Sequence, residues 1–170
     1  MNLDQIKSNL NTFKENDQIF EAAHFLLDNF GLESENFAGF GFRKELEPNK
    51  MLLTTEGALG EKQMVMIPRN IFDFDLNLVA NMVAHEMLHV RQKAPETLVK
   101  DKNEREFQAY YEMLFHKNFP LVPDVSDFHK KFFAEKALEY YKRMGENSEL
   151  QQKYAKHKLK IENFINSIYA

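Results

Sequence analysis

Apolar residues recur at helical spacing through the first thirty positions. Ile6, Leu10 and Phe13 share one face, and Phe20, Ala23, Leu27 and Phe30 share another, with Gly31 as a C-terminal stop. A break near Asn16-Asp17 divides this stretch into two helices. From Phe37 to Arg69 the pattern changes to short runs, FAGFGFRKEL, KMLLTTE and EKQMVMIP, separated by Pro48-Asn49 and by the stretch from Gly57 to Gly60. Such punctuation predicts three strands of a small antiparallel sheet. In the last run Met64, Met66 and Pro68 fall on one face and Val65 and Ile67 on the other, and Pro68 suits a strand end or an edge.

Helical spacing then resumes. Asp73 or Asp75 can cap a long helix that carries Leu78, Val79, Met82, Val83 and Leu88 and stops before Pro95. A second helix is expected from about Asp101 to His116, and a third from about Asp124 to Met144, with NFPLVPD as the loop between them. Gly145 stands just past the third helix. Ser148 followed by Gln151 is a capping-box signal for a final helix whose apolar face is Leu150, Tyr154, Ile161, Phe164, Ile165 and Ile168. The sum is a single α+β domain over 1–170. It has N-terminal helices over 1–30, a sheet-and-helix core over 37–118 and a C-terminal helical pair over 124–170.

Composition narrows the chemistry. With 170 residues, 44% of them hydrophobic, including 16 Phe and 8 Met, the chain can build one sizeable core. A net charge of −4 gives no electrostatic reason for a nucleic-acid partner. Lys153, Lys156, Lys158 and Lys160 cluster, but glutamates accompany them, as on a solvated helix face. The chain has no cysteine, which excludes disulfides, thiolate metal ligands and a thiol nucleophile. MNLDQIKSNL does not read as a signal peptide, and no run approaches the roughly 20 apolar residues of a membrane span. A cytoplasmic protein with no membrane partner is expected, and the pattern specifies no oligomeric state.

One motif carries chemistry. His85-Glu86-Met87-Leu88-His89 is H-E-x-x-H inside a predicted helix. Residues four apart lie almost above one another on a helix, so two imidazoles reach one ion. The intervening glutamate turns toward the same pocket without being a ligand. Zinc with three protein ligands keeps a fourth position for a water and lowers its pKa toward neutrality. Glu86 would take the proton of that water and later deliver it to the leaving amine. The third ligand separates the subclasses. Gln92 and Pro95 stand where the metzincin continuation requires Gly and His, and a deformylase-type site requires a cysteine. After a loop of about ten residues comes Asn103-Glu104-Arg105-Glu106, where a glutamate at the start of the next helix can fold back beside the histidines.

HEMLHVRQ followed by EREFQAYYEML resembles the core of the gluzincin metallopeptidases, over roughly residues 76 to 116. In that family the third zinc ligand is a glutamate on the helix after H-E-x-x-H. The second segment is most similar to the R-E-x-x-A-D form of HtpX-like peptidases, which implies Glu106 as the ligand, with Ala109 one turn on for close helix approach. A thermolysin-like alignment would favour Glu104 instead, but Gln108 then replaces an expected aspartate. His116 is a more distant candidate. The HtpX-like pattern also departs at Tyr110, where an aspartate commonly orients a zinc-bound histidine, so that partner must come from elsewhere. HtpX-like enzymes are membrane-anchored, whereas this chain looks like a soluble, minimal gluzincin.

The resemblance implies a zinc-dependent endopeptidase acting on a peptide or protein, with one zinc ion per chain held by His85, His89 and Glu106 and with Glu86 as general base. It also implies a peptide lying across the zinc along a sheet edge, for which the strand ending Val65-Met66-Ile67-Pro68 is the candidate. Two other functions stay open. One is a zinc-dependent amidase or aminopeptidase, and the other is a catalytically weak zinc protein that regulates or binds a partner. Tyr110, Tyr111, His116 and His129 are available as oxyanion donors, though packing is the default role of each. His24 and His157 read as structural.

Overall fold

The structure is a computed structural model and describes residues 1–169. Only Ala170, the end of the expected C-terminal helical pair, lies outside the described residues. Two helices open the chain. Helix α1 (Leu3–Glu15) starts at Asn2, whose side chain accepts from Gln5 N while the Gln5 side chain accepts from Asn2 N. Helix α2 (Ile19–Phe30) closes at Gly31, whose φ of +64° is the left-handed conformation that a residue without Cβ adopts freely.

The sheet has three strands, β1 (Phe37–Arg43), β2 (Thr54–Glu56) and β3 (Gln63–Pro68), in the order β1-β3-β2. It is mixed rather than antiparallel, because β1 pairs with β3 in parallel and β2 pairs with β3 in antiparallel fashion. The connection between β1 and β2 explains the difference. Ten residues, 44–53, are too many for a tight hairpin, so the chain crosses over and lays β2 on the far side of the position that β3 then fills. Glycine closes the β2–β3 hairpin at Gly57, φ +149°, where a Cβ would meet the buried Gln63 amide at 2.7–2.8 Å. The alternation within β3 matches the sequence pattern through Ile67, since Val65 and Ile67 are fully buried while Met64 and Met66 are half-buried, but Pro68, placed with the methionines, is buried. The expected role of the strand ending at Pro68 as a free edge is not met. β3 is the central strand, and the edge beside the next helix is β2.

Asp75, not Asp73, caps helix α3 (Leu76–Gln92), accepting from Leu78 N, while Asp73 pairs with Lys14. Thirteen of its 17 residues are buried, so α3 runs through the interior and carries its polar side chains inside. Helix α4 (Lys102–Phe115) is capped by Asp101 and ends at His116 in the left-handed conformation. Helix α5 (Asp127–Arg143) starts three residues later than expected, because Ser126 supplies the cap. The expected final helix is broken at Tyr154 into α6 (Glu149–Lys153) and α7 (Ala155–Tyr169). Ser148 caps α6, but the Gln151 side chain reaches back to Asn147 N rather than to Ser148 N, so the box is not closed.

Apolar side chains gather into two cores. The first joins α1, α2 and the sheet to one side of α3, through residues such as Leu26, Val65, Ile67, Val83 and Met87. The second is formed by Phe107 and Met113 of α4, Phe133 and Ala137 of α5, and Tyr154 and Ile161. Met82 of α3 touches both. No helix among the described residues is long and apolar enough to cross a membrane.

Candidate metal centre

Helix α3 lies between the two cores, and α4 packs against it in the opposite direction. Gln92 meets Arg105 and Gln108 at one end, and Asn81 meets His116 at the other. This pairing brings His85 and His89 of α3 against Glu106 of α4. Glu106 Oε2 lies 3.3 Å from His85 Nε2 and 3.4 Å from His89 Nε2, and the two Nε2 atoms are 3.1 Å apart. Tetrahedral coordination with bonds of about 2.0–2.1 Å places neighbouring ligand atoms about 3.3 Å from one another. The triangle therefore has the dimensions of three ligands around one ion.

Each imidazole is fixed through its other nitrogen. His89 Nδ1 donates to Gln92 Oε1 at 2.8 Å, which turns Nε2 toward the cluster. His85 Nδ1 lies 3.2 Å from the thioether sulfur of Met113, and Tyr110 packs edge-on against the His85 ring. Gln92 then donates to Arg105 O and Gln108 Oε1, so one side chain ties a histidine to the turn that carries Glu106. The partner missing at Tyr110 is thus supplied from α3 itself.

Electrostatics within the cluster are mutual. Burial works against ionisation of Glu106, yet hydrogen bonds and positive charge from both histidines hold its carboxyl well below the usual range. Burial likewise works against a charged His89, but Glu106, Glu86 and Gln92 carry it above its ordinary value. Tyr110 is pushed up by burial first and then by Glu106 and other neighbouring groups, so its hydroxyl keeps its proton.

Glu86 follows His85 on α3 and is buried, lining the same cleft of about 390 Å³. Thr55 Oγ1 of β2 donates to Glu86 Oε2 at 2.7 Å and also lies 3.1 Å from Glu86 O. Oε1 has no protein partner among the described residues. The other candidates lie elsewhere. Glu104 accepts from Lys153 Nζ and Tyr154 Oη, against the α6–α7 break. His116 sits between Asn81 and Asp124, and His129 pairs with its own cap Ser126. Tyr111 packs on Phe107, Phe115 and His157, while His24 packs on Phe37 and Phe40.

Sequence reasoning missed Thr55, Gln92 and Met113. Gln92 was within reach, being three residues beyond His89 on the same helix face. Thr55 and Met113 depend on which strand borders α3 and how α4 is rotated, and no local pattern reports either.

The donor set suits a divalent ion such as zinc, with two imidazoles, one carboxylate and an open cleft beside them. Comparison of the chain with protein-family models, with curated proteins and with solved structures gave no match.

Proposed function

We propose that this protein is a zinc-dependent peptidase of gluzincin type, with His85, His89 and Glu106 as ligands and Glu86 as the proton-transfer group. The observation that carries the reading is the 3.1–3.4 Å triangle of ligand atoms beside a buried glutamate in an open cleft. Zinc bound there supplies Lewis acidity, lowering the pKa of a water and polarising the scissile carbonyl. The chain provides the rest. Thr55 holds one oxygen of Glu86, leaving the other to take a proton from the attacking water and pass it to the leaving nitrogen. The protonated Tyr110 hydroxyl belongs to the same lining and is the side chain best suited to donate to developing negative charge on the substrate oxygen.

The substrate backbone runs along β2. Leu52, Leu53, Thr54 and Thr55 line the cleft opposite α3, and β2 is an edge strand, so an extended peptide can pair with it beside the cluster. An aminopeptidase would need carboxylates to hold a free amino group. Among the described lining residues the only carboxylates are Glu86 and Glu106, both committed to the chemistry.

Elemental analysis should find about one zinc per chain, lost in His89→Ala. Protein that is metal-free and cannot be reconstituted would reject the ligand set. Glu86→Gln should keep the metal and lose cleavage of an unfolded test protein by about 10²–10⁴-fold, the usual worth of a positioned acid–base group. Equal cleavage by wild type and variant would reject the assignment of Glu86.

A further inference from the structure

The cleft is chemically lopsided. Along α3 and its C-terminal cap, Met82, His85 with the adjacent Glu86, His89 and Lys93 line it in turn, His85, His89 and Lys93 at spacings of four residues. Its Met82 end is apolar, with Phe132 and Phe133 of α5 opposite and Leu52 half-exposed on the sheet side. Its Lys93 end is cationic, because the antiparallel α4 brings Lys102 and Arg105 to the same place. Lys93 stands about 6 Å beyond His89 along the helix axis, one helical turn away.

None of these three cations forms an ion pair with a carboxylate among the described residues, although Glu86 and Glu106 lie near enough to favour the charge on Lys93. Glu106 faces the histidines, Glu86 accepts from Thr55, and Glu104 is taken by Lys153 and Tyr154. Among the described residues no carboxylate lies within 4.0 Å of Lys93, Lys102 or Arg105. Arg105 is held in place by Nη1, which donates to Val99 O and Lys100 O, and its Nη2 has no protein partner among the described residues. A divalent ion in the cluster would offset Glu86 and Glu106, the two carboxylates that act on Lys93. Lys93 is also partly desolvated, which makes its charged form costly and an incoming anion correspondingly welcome.

We propose that Lys93, Lys102 and Arg105 form an anchor for a substrate carboxylate, so that the cleft selects peptides presenting a negative charge on the Lys93 side of the scissile bond. The proposal rests on the peptidase reading for the word substrate, but the anchor itself is a binding site that can be tested without turnover. The carboxylate has two sources, the free C-terminus of a peptide or the side chain of an internal Asp or Glu. Lys and Arg donate to either with charge-assisted hydrogen bonds.

The test uses full-length Glu86→Gln protein with zinc in slight excess, so that bound peptides stay intact. Three pools of fluorescent random octapeptides are titrated by anisotropy. One is C-terminally amidated and lacks Asp and Glu, one is the free acid lacking Asp and Glu, and one is amidated with a single Glu. At least one carboxylate pool should bind about tenfold more tightly than the neutral pool, the least that one charge-assisted hydrogen bond supplies. The stronger of the two identifies the source. The preference should fall away in Lys93→Gln/Lys102→Gln and weaken with added salt. Arg105 is left in place because it ties down the loop before α4. Equal binding of all three pools, binding of none, or a preference that survives in the double variant would overturn the anchor. Zinc-loaded wild type that cuts no pool while the carboxylate preference persists would reject hydrolysis and leave the anchor standing.

Discussion

Gln92 fixes His89 from below and at the same time holds the backbone just before Glu106. Its loss should loosen ligands on two helices. Gln92→Leu is expected to weaken zinc binding by about 10–100-fold, the usual cost of losing a histidine's orienting partner, measured by competition with a chromophoric chelator. Retained affinity would assign Gln92 a purely structural role. His116 gives a prediction of a different kind. Burial lowers its pKa below the ordinary 6.5 despite Asp124 and Glu112, so the unfolded chain takes up the proton first. Its neutral form therefore costs nothing above the unfolded value, and stability is lost as pH falls through that value toward the folded one. Replacement by asparagine, which tolerates the φ of +44° found here, should flatten the decline in melting temperature between pH 7.5 and 5. An unchanged slope would show that His116 does not contribute. At this scale the motif residues were legible because helix spacing alone juxtaposes His85 and His89. The choice of Glu106 over Glu104 came from resemblance, and the structure separates them by rotation about α4, which turns Glu104 toward Tyr154.

Among the elements, helices were easier to foresee than strands. The cap at Ser148 and the stop at Gly31 are local events that the sequence shows directly, and it narrows the cap of α3 to Asp73 or Asp75 and the start of α4 to about Asp101. Strand order is not local. Three short runs read as a small antiparallel sheet, but the ten residues between β1 and β2 cross over and make β3 central. The break at Tyr154 was also hidden, since Leu150 to Ile168 reads as one amphipathic helix. Its cause is tertiary. Tyr154 is buried against Phe107 and donates to Glu104 at 2.6 Å, holding that glutamate with Lys153. Tyr154→Phe should cost about 2 kcal/mol, as expected for a hydrogen bond to a charged group, measured by urea unfolding, without altering the zinc content. A change below about 0.5 kcal/mol, typical of a surface site, would mean that Lys153 and water satisfy Glu104 unaided.

Taken whole, the molecule places its candidate metal centre on the seam between two cores, His85 and His89 on one helix of the seam and Glu106 on the other. An ion that binds only the folded arrangement stabilises it by about 4 kcal/mol at a thousandfold excess over its dissociation constant. In a chain of this size that corresponds to a rise of about 10 °C in melting temperature. Scanning fluorimetry with and without zinc checks the rise, and its absence in His89→Ala ties it to the cluster. The split interior also bears on cooperativity. Each core has its own apolar cluster, and the α3–α4 seam joins them partly through buried polar groups that an ion would lock together. Stripped of metal, the two halves should melt as loosely coupled units, with a calorimetric enthalpy exceeding the van't Hoff value. Loaded with metal, the two enthalpies should converge, because neither half can then let go alone.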